Sequence, residues 1–230
     1  MSSLYVIRHG EASFGAADYD VLTPRGEEQA ARLGRALARA PLRLDAVFTG
    51  PARRHRDTCR IALDAARAGG AELPEPELLD DLDEFPGLEL FRRALPNLEE
   101  LDEELAALVK AGMPSDPREL ARVAARSTRR FAALWARGAL DDHGLERFDD
   151  FDARVRRALD HIMKTCGRGA QVASITSAGP VAIAVRRALG LSVDQTIAIM
   201  SATANASVTE LRYRDDALGL FRFNVPTDFP

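Results

Sequence analysis

The sequence predicts an α/β fold with a mostly parallel sheet and a helical insertion over about 86–147. Three observations predict it. Leu4-Tyr5-Val6-Ile7 is an uninterrupted apolar run with none of the alternation of a half-exposed strand, as expected where both faces of a strand are covered. Ala46-Val47-Phe48 and Gln171-Val172-Ala173-Ser174-Ile175-Thr176 are further short strands, each followed by a turn and then a helical pattern. Between them, Leu98, Leu101, Leu105 and Leu108, then Leu120, Val123, Ala124, Phe131, Leu134 and Trp135, recur at helical spacing. A chain of 230 residues is long enough for one substantial core, and a single domain over 1–230 carrying that insertion is expected.

The opening strand ends in Arg8-His9-Gly10-Glu11. Open α/β sheets bind ligands beyond the carboxyl ends of their strands, so Arg8 and His9 stand where a ligand is expected. Gly10 allows a sharp turn or a close backbone approach there. Thr23-Pro24 then opens a helix, with Thr23 as N-cap, Pro24 at its first position and Ala30, Leu33, Leu37 and Ala38 on one face. The second strand ends at Thr49-Gly50, and Pro51 is expected to start a helix running to about Gly69-Gly70.

That second helix begins with Arg53-Arg54-His55-Arg56, cations that oppose the helix dipole at roughly 0.3 to 1 kcal/mol each. An anion held between this helix start and the Arg8-His9 strand end would offset the repulsion. Arg54 shares a face with Thr58 and is the candidate to point inward, while Arg53 and Arg56 read as solvated. His55 neighbours Arg54 and could stand in for a cation, but helical rotation is expected to turn it aside.

Residues 71–98 are acidic and Pro-rich, with Leu79 to Gly87 read as a short strand or extended segment entering a loop. Asp80, Asp81 and Asp83 read as solvated. Met113-Pro114-Ser115-Asp116-Pro117 divides the helical stretch into an antiparallel pair that could roof a site, with Asp116 as N-cap. A third long helix covers about Phe151 to Cys166, with Val155, Leu159 and Ile162 buried. After the Gln171–Thr176 strand, Ser177-Ala178-Gly179-Pro180 starts another helix, whose N-terminus is again open to an anion. Ser207–Tyr213 and Leu220–Val225 alternate as strands joined at Asp215-Asp216. His161 reads as structural and His143 as solvated.

A net charge of −4 argues against nucleic-acid binding, and among the cations only Lys110 and Lys164 are lysines. Cys59 and Cys166 lack metal-ligand or disulfide spacing, and no apolar run has the length of a membrane span, so a soluble cytoplasmic protein is expected, without membrane partners. A homodimer stays open.

Taken together, these motifs resemble the histidine phosphatase superfamily, the phosphoglycerate mutase-like proteins. Leu4 to Glu11 is similar to its signature strand; Leu22-Thr23-Pro24-Arg25-Gly26 with Gln29-Ala30 to its first helix start; Thr49 to Thr58 to the segment with its second arginine; and Asn205-Ala206-Ser207-Val208 to its last strand. The resemblance implies a three-layer α/β/α fold. It implies that His9 is the nucleophile taking the phosphoryl group, that Arg8 and Arg54 clamp phosphate oxygens, and that Glu84, with Asp83 as competitor, is the general acid and then base. No metal and no cofactor are implied, and the implied ligand is a small phosphorylated substrate or phosphate.

One departure stands out. Where the family usually has a second histidine, this chain reads Thr176-Ser177-Ala178-Gly179, so Ser177 stands at the histidine position and offers a phosphate one uncharged donor. The leading expectation is a metal-independent phosphatase working through phosphohistidine. A mutase must hold its phosphoenzyme against water and rebind an intermediate, and Ser177 does not favour holding a polyanion; a phosphate- or phosphoprotein-binding module with vestigial catalysis is the alternative from another class. A nucleophilic Ser177 is set aside because no histidine is expected within reach as its base. Specificity is expected from the loop around Phe14 to Tyr19 and from residues 85–147.

Overall fold

The computed structural model describes residues 2–13, 20–112, 114–140 and 144–227. The loop around Phe14 to Tyr19, Met113 and His143 lie outside the described residues. Six strands form one sheet in the order β3-β2-β4-β1-β5-β6: β1 (Ser2–Arg8), β2 (Ala46–Thr49), β3 (Pro76–Leu78), β4 (Gln171–Thr176), β5 (Ser207–Arg214) and β6 (Ala217–Pro226). The pairs β3/β2, β2/β4 and β4/β1 are parallel, and β5 pairs antiparallel with both β1 and β6.

Alternation along β1 explains the layers. Tyr5 and Ile7 face one way, packing with Val47, Ala173 and Ile175 against α1 (Pro24–Arg39) and α2 (Arg53–Ala68). Leu4 and Val6 face the other way, with Phe48, Val172 and Leu211, against α7 (Phe148–Cys166) and α8 (Ala178–Leu189). Both faces are therefore covered, which accounts for the continuous apolar run. Thr23 caps α1, its hydroxyl accepting from Gly26 N–H, and Pro24 occupies the first turn. The thiol of Cys59, buried on α2, is pushed up to about 12 by burial and stays inert.

Several boundaries differ from expectation. Helix α2 starts at Arg53 rather than Pro51, because Ala52, at φ −59° and ψ 145°, is not helical and Asp20 accepts the N–H groups of Arg53 and Arg54. The strand expected from Leu79 lies earlier, at β3, where Pro76 at a sheet edge loses no ladder bond. Residues Asp80–Leu82 instead form a 3-10 turn that tucks Leu82 into the core. Two helices were not anticipated: α3 (Gly87–Ala94), and α9 (Val193–Ala202), which opens with a capping box of Ser192 and Gln195. The expected first helix of the pair divides into α4 (Leu98–Leu101) and α5 (Glu103–Ala111), since Asp102 takes an extended conformation and caps α5. Helix α6 (Pro117–Ala136) is capped by Asp116; its buried residues include Phe131, Ala132 and Trp135, while Leu120, expected in the core, is exposed. Among the described residues no helix is long and apolar enough to cross a membrane.

The loop leaving β1 is locked to the start of α1 by backbone contact. A Cβ on Gly10 would lie 2.4 Å from the Gly26 carbonyl oxygen, and a Cβ on Gly26 would lie 2.0 Å from that of Glu11. The closeness at Gly10 is thus to the chain itself. Gly26→Ala is expected to destabilise the protein by about 3 kcal/mol in urea unfolding, because backbone cannot yield as a side-chain tip can; an unchanged midpoint would mean the loop is not packed on α1.

Candidate active site

Three parallel strands end level with one another. Arg8 pairs with Thr176, and Thr49 with Ile175, so β1, β4 and β2 deliver His9, Ser177 and Gly50 to one edge of the sheet. The backbone holds this edge: His9 N–H donates to Thr176 O at 2.8 Å, and Gly50 N–H to Ile175 O at 3.0 Å.

His9 is buried, with its Nδ1 2.6 Å from the carbonyl oxygen of Gly10. A carbonyl only accepts, so Nδ1 carries the proton and Nε2 presents its lone pair. Burial, and then the Arg8 and Arg54 guanidinium groups, hold His9 well below the ordinary imidazole range despite that hydrogen bond. The Arg8 guanidinium donates to Thr203 O at the end of α9.

Arg54 is buried, whereas Arg53 and Arg56 are exposed. Its Nη1 donates to Asp20 Oδ1 at 2.7 Å and its Nη2 to Ser177 Oγ at 3.3 Å. Thr58, one turn on, accepts from Gly10 N–H and donates to Arg54 O, tying α2 to the loop after β1. The anion expected at the start of α2 is the chain's own: Asp20 accepts the N–H of Arg53 at 2.7 Å and of Arg54 at 3.3 Å.

His55 does not turn aside. It is fully buried, its Nε2 is 2.6 Å from Ser177 Oγ, and its ring centroid is 5.5 Å from that of His9. The reason lies in helix phase. His55, Cys59, Ala62 and Ala66 follow at i, i+4, i+7 and i+11 and are all buried, so His55 begins the very stripe that packs on the sheet. That spacing was a readable signal. Gly50 supplies the room, since a Cβ there would lie 2.4 Å from His55 Nδ1. Burial, followed by His9 and Arg54, holds His55 well below the ordinary imidazole range. The premise on which a nucleophilic Ser177 was set aside, the lack of a nearby histidine, is therefore wrong. His161, by contrast, is half-exposed and lies 3.4 Å from Glu77.

Glu84 follows the 3-10 turn and reaches α8. Its Oε2 accepts Gly179 N–H at 3.1 Å and its Oε1 accepts Phe85 N–H at 3.1 Å. The approach requires glycine, because a Cβ on Gly179 would lie 2.1 Å from Oε1. Here too a carboxylate of the chain holds the helix N-terminus that had read as open to an anion. Burial raises the Glu84 carboxyl above its usual range, against the Gly179 and Phe85 N–H bonds and the Arg54 and Arg8 charges, which lower it. Asp83 points elsewhere, with Oδ1 accepting Glu84 N–H at 2.8 Å.

Two supports hold Glu84 that the sequence did not reveal. Arg154 of α7 donates to the carbonyls of Asp81, Asp83 and Glu84 and pairs with Glu146. Phe85 stacks on Trp135 of α6 at 4.2 Å between ring centroids and meets Phe151 edge-on at 6.2 Å. Ala132 packs with Ala178 and Ala182, so α6 reaches the turn that carries Ser177. Among the described residues no group of three His, Cys, Asp or Glu side chains is placed to hold a metal ion.

With this geometry in view, comparison with known proteins is decisive. Residues 4–90 and 111–226 match the sequence profile of the histidine phosphatase superfamily (branch 1). The chain belongs to that superfamily. A 2,3-bisphosphoglycerate-dependent phosphoglycerate mutase of Thermobifida fusca is 44% identical over 73 residues, which cover 29% of this chain and 29% of the relative. The match thus spans less than a third of that relative's length. Among solved structures, a phosphoglycerate mutase from Bacillus anthracis superposes with a TM-score of 0.64 at 18% identity, covering 98% of this chain and 94% of the other. A mycobacterial glucosyl-3-phosphoglycerate phosphatase gives 0.62 at 20% identity, covering 97% and 98%. These superpositions establish the α/β fold, and family membership supports phosphoryl-transfer chemistry.

Arg154→Ala should lower stability by about 3 kcal/mol, because it strips a part-buried Glu146 carboxylate and three carbonyls of their donor. Arg157→Ala, which removes an exposed pair with Asp81, should change it by less than about 0.5 kcal/mol. Equal urea midpoints for the two variants would refute this ranking.

Proposed function

We propose that the protein is a metal-independent phosphatase that hydrolyses a small phosphomonoester through a phosphohistidine at His9. The observation that carries this reading is the hydrogen bond of His9 Nδ1 to Gly10 O, which commits the ring proton to Nδ1 and leaves the Nε2 lone pair free, in a ring that burial and two guanidinium groups bias toward the neutral form. A phosphoryl dianion drawn to Arg8 and Arg54 meets a nucleophile that needs no prior deprotonation. Nε2 forms the bond to phosphorus as the bond to the ester oxygen breaks, and Glu84, its carboxyl biased toward the protonated form, gives its proton to that oxygen. The alcohol leaves. Glu84, now ionised, takes a proton from water as the water oxygen attacks phosphorus, the phosphorus–nitrogen bond breaks, and inorganic phosphate departs with His9 restored. Arg8 and Arg54 compensate the charge on the equatorial oxygens throughout, and Ser177 adds a donor.

A mutase uses the same first step but must shield the phosphoenzyme from water and bind a second acceptor. The similarity to a phosphoglycerate mutase supports that alternative, and phosphate transfer to added 3-phosphoglycerate would distinguish it. The contact of Ser177 with His55 also makes Ser177 a rival nucleophile, and the two phosphoenzymes differ chemically. Brief incubation with labelled phosphomonoester should leave acid-labile phosphate on His9, absent in His9→Ala; acid-stable phosphate on Ser177 would overturn the assignment.

The leaving-group role of Glu84 predicts a substrate-dependent loss. Glu84→Gln should slow hydrolysis of an alkyl phosphate by about 100-fold or more, and of p-nitrophenyl phosphate far less, since nitrophenolate leaves without a proton. Because the protonated carboxyl is the active form, kcat/KM should fall on the alkaline side through the raised Glu84 pKa, and this limb should vanish in Glu84→Gln. An unchanged alkaline limb, or an equal loss in Asp83→Asn, would assign the proton elsewhere. Arg54→Ala should likewise lose far more activity than Arg53→Ala, whose side chain is exposed and pairs with Asp57.

A further inference from the structure

The pair formed by His55 and Ser177 has chemistry of its own, and its hydrogen bonds can be counted. Ser177 Oγ carries one proton and two lone pairs, and it lies within hydrogen-bond distance of His55 Nε2 and Arg54 Nη2. Arg54 can only donate. If His55 carried its proton on Nδ1, that N–H would be buried with no acceptor, since Nδ1 has no hydrogen-bond partner among the described residues. Ser177 would then spend its single proton on Nε2 and offer a ligand nothing. With the proton on Nε2, the network closes: His55 and Arg54 fill both lone pairs of Ser177 Oγ, and the hydroxyl proton is left to donate. Only a lone pair is orphaned at Nδ1, a lesser cost than an orphaned N–H.

We infer that His55 is a positioning residue that acts through Ser177, its Nε2–H and the Ser177 hydroxyl working in series as a single donor to the phosphoryl group received by His9. This rests on reading the site as one that binds a phosphoryl group. The two buried imidazoles, 5.5 Å apart, then hold opposite tautomers. His9 presents a lone pair toward phosphorus, and His55 presents an N–H that polarises Ser177. The same tautomer leaves His55 without a lone pair facing Ser177, so it does not serve as the base of a serine nucleophile. The resemblance to the family puts a histidine where Ser177 stands; in this chain an imidazole reaches the hydroxyl from α2 instead, through the space left at Gly50.

A donor in series and a base make opposite predictions for glutamine at position 55, which can offer an N–H in place of Nε2–H but cannot take up a proton. The experiment compares His55→Ala, His55→Gln, Ser177→Ala and the double variant His55→Ala/Ser177→Ala with the parent, in two readouts. One is kcat and KM on p-nitrophenyl phosphate; the other is calorimetric binding of orthovanadate, which does not depend on turnover. His55→Ala and Ser177→Ala should each lower kcat/KM by about 10- to 100-fold, chiefly in kcat, as expected for removing a donor aimed at developing charge. His55→Gln should stay within about fivefold of the parent, and the double variant within about threefold of either single, because elements in series are lost together. The inference is overturned if His55→Gln is as impaired as His55→Ala, if the single losses multiply in the double variant, or if His55→Ala stays within about twofold of the parent. If the parent turns over no phosphomonoester, the enzymatic reading fails by itself. The orthovanadate affinities of the same variants then decide the series arrangement through the same ratios. Gly50→Ala, whose Cβ would intrude on His55 Nδ1, should reproduce the His55→Ala loss without removing the imidazole, and parent-like values for it would also count against the arrangement.

Discussion

The site depends on one electrostatic constraint: two imidazoles buried within 5.5 Å of each other, beside guanidinium groups, have to be neutral. A charged ring there would lose its hydration and face Arg54 at close range. Neutrality turns each histidine into a group with one lone pair and one N–H, so the presence or absence of an acceptor at Nδ1 decides what Nε2 offers. Gly10 O fixes the answer for His9, and the lack of a hydrogen-bond acceptor at Nδ1 among the described residues fixes it for His55. Backbone geometry therefore sets the chemistry. The backbone of Gly10 lies close against that of Gly26, and the space beside His55 exists because position 50 has no side chain.

The second organising fact is that both helix N-termini at the site are occupied by the chain's own carboxylates. Asp20 sits on α2 and Glu84 on α8. Each also answers a problem nearby: Asp20 compensates the Arg-rich first turn of α2, and Glu84 is held in place by two backbone N–H groups. On the proposed reading, the donors that the described residues would offer a phosphoryl group are the side chains of Arg8, Arg54 and Ser177. Planar guanidinium groups match phosphoryl oxygens bidentately and keep their charge at every pH of interest. Holding Glu84 on α8 also couples its placement to the aromatic cluster of Phe85, Trp135 and Phe151, so α6 and α7 support the site through packing.

Much of the fold was legible because its signals are local. Thr23-Pro24 and Asp116-Pro117 cap the helices they were expected to cap, and β4 has the bounds that its apolar run gives. Family membership was legible from the order of several short motifs. What escaped was set by partners distant in sequence. Helix α2 begins at Arg53 because a carboxylate 33 residues earlier holds its first N–H, and no pattern within α2 contains that information. Arg154 is recognisable as a support for Glu84 only once residues some 70 apart meet. His55 is a different case. Its alignment with Cys59, Ala62 and Ala66 was present in the sequence, but the stripe was anchored on Arg54 and Thr58, which mark only one edge of the buried arc.

The phase of α2 bears on how a site of this kind can be assembled from different residues. On α2, positions 54 and 55 both border the sheet edge where β1, β2 and β4 end, so one short stretch of helix can supply both a cation and an imidazole there. Ser177 reaches the same point from the end of β4. What the phosphoryl group meets is then a hydroxyl, but a hydroxyl whose lone pairs are already occupied by two nitrogen donors is more polarised than one in isolation. The chemical identity of the residue at the turn is therefore a poor guide to the donor strength of the site, which depends on what stands behind it. In this chain that is an imidazole from a neighbouring strand–helix unit, admitted by a glycine at the end of β2.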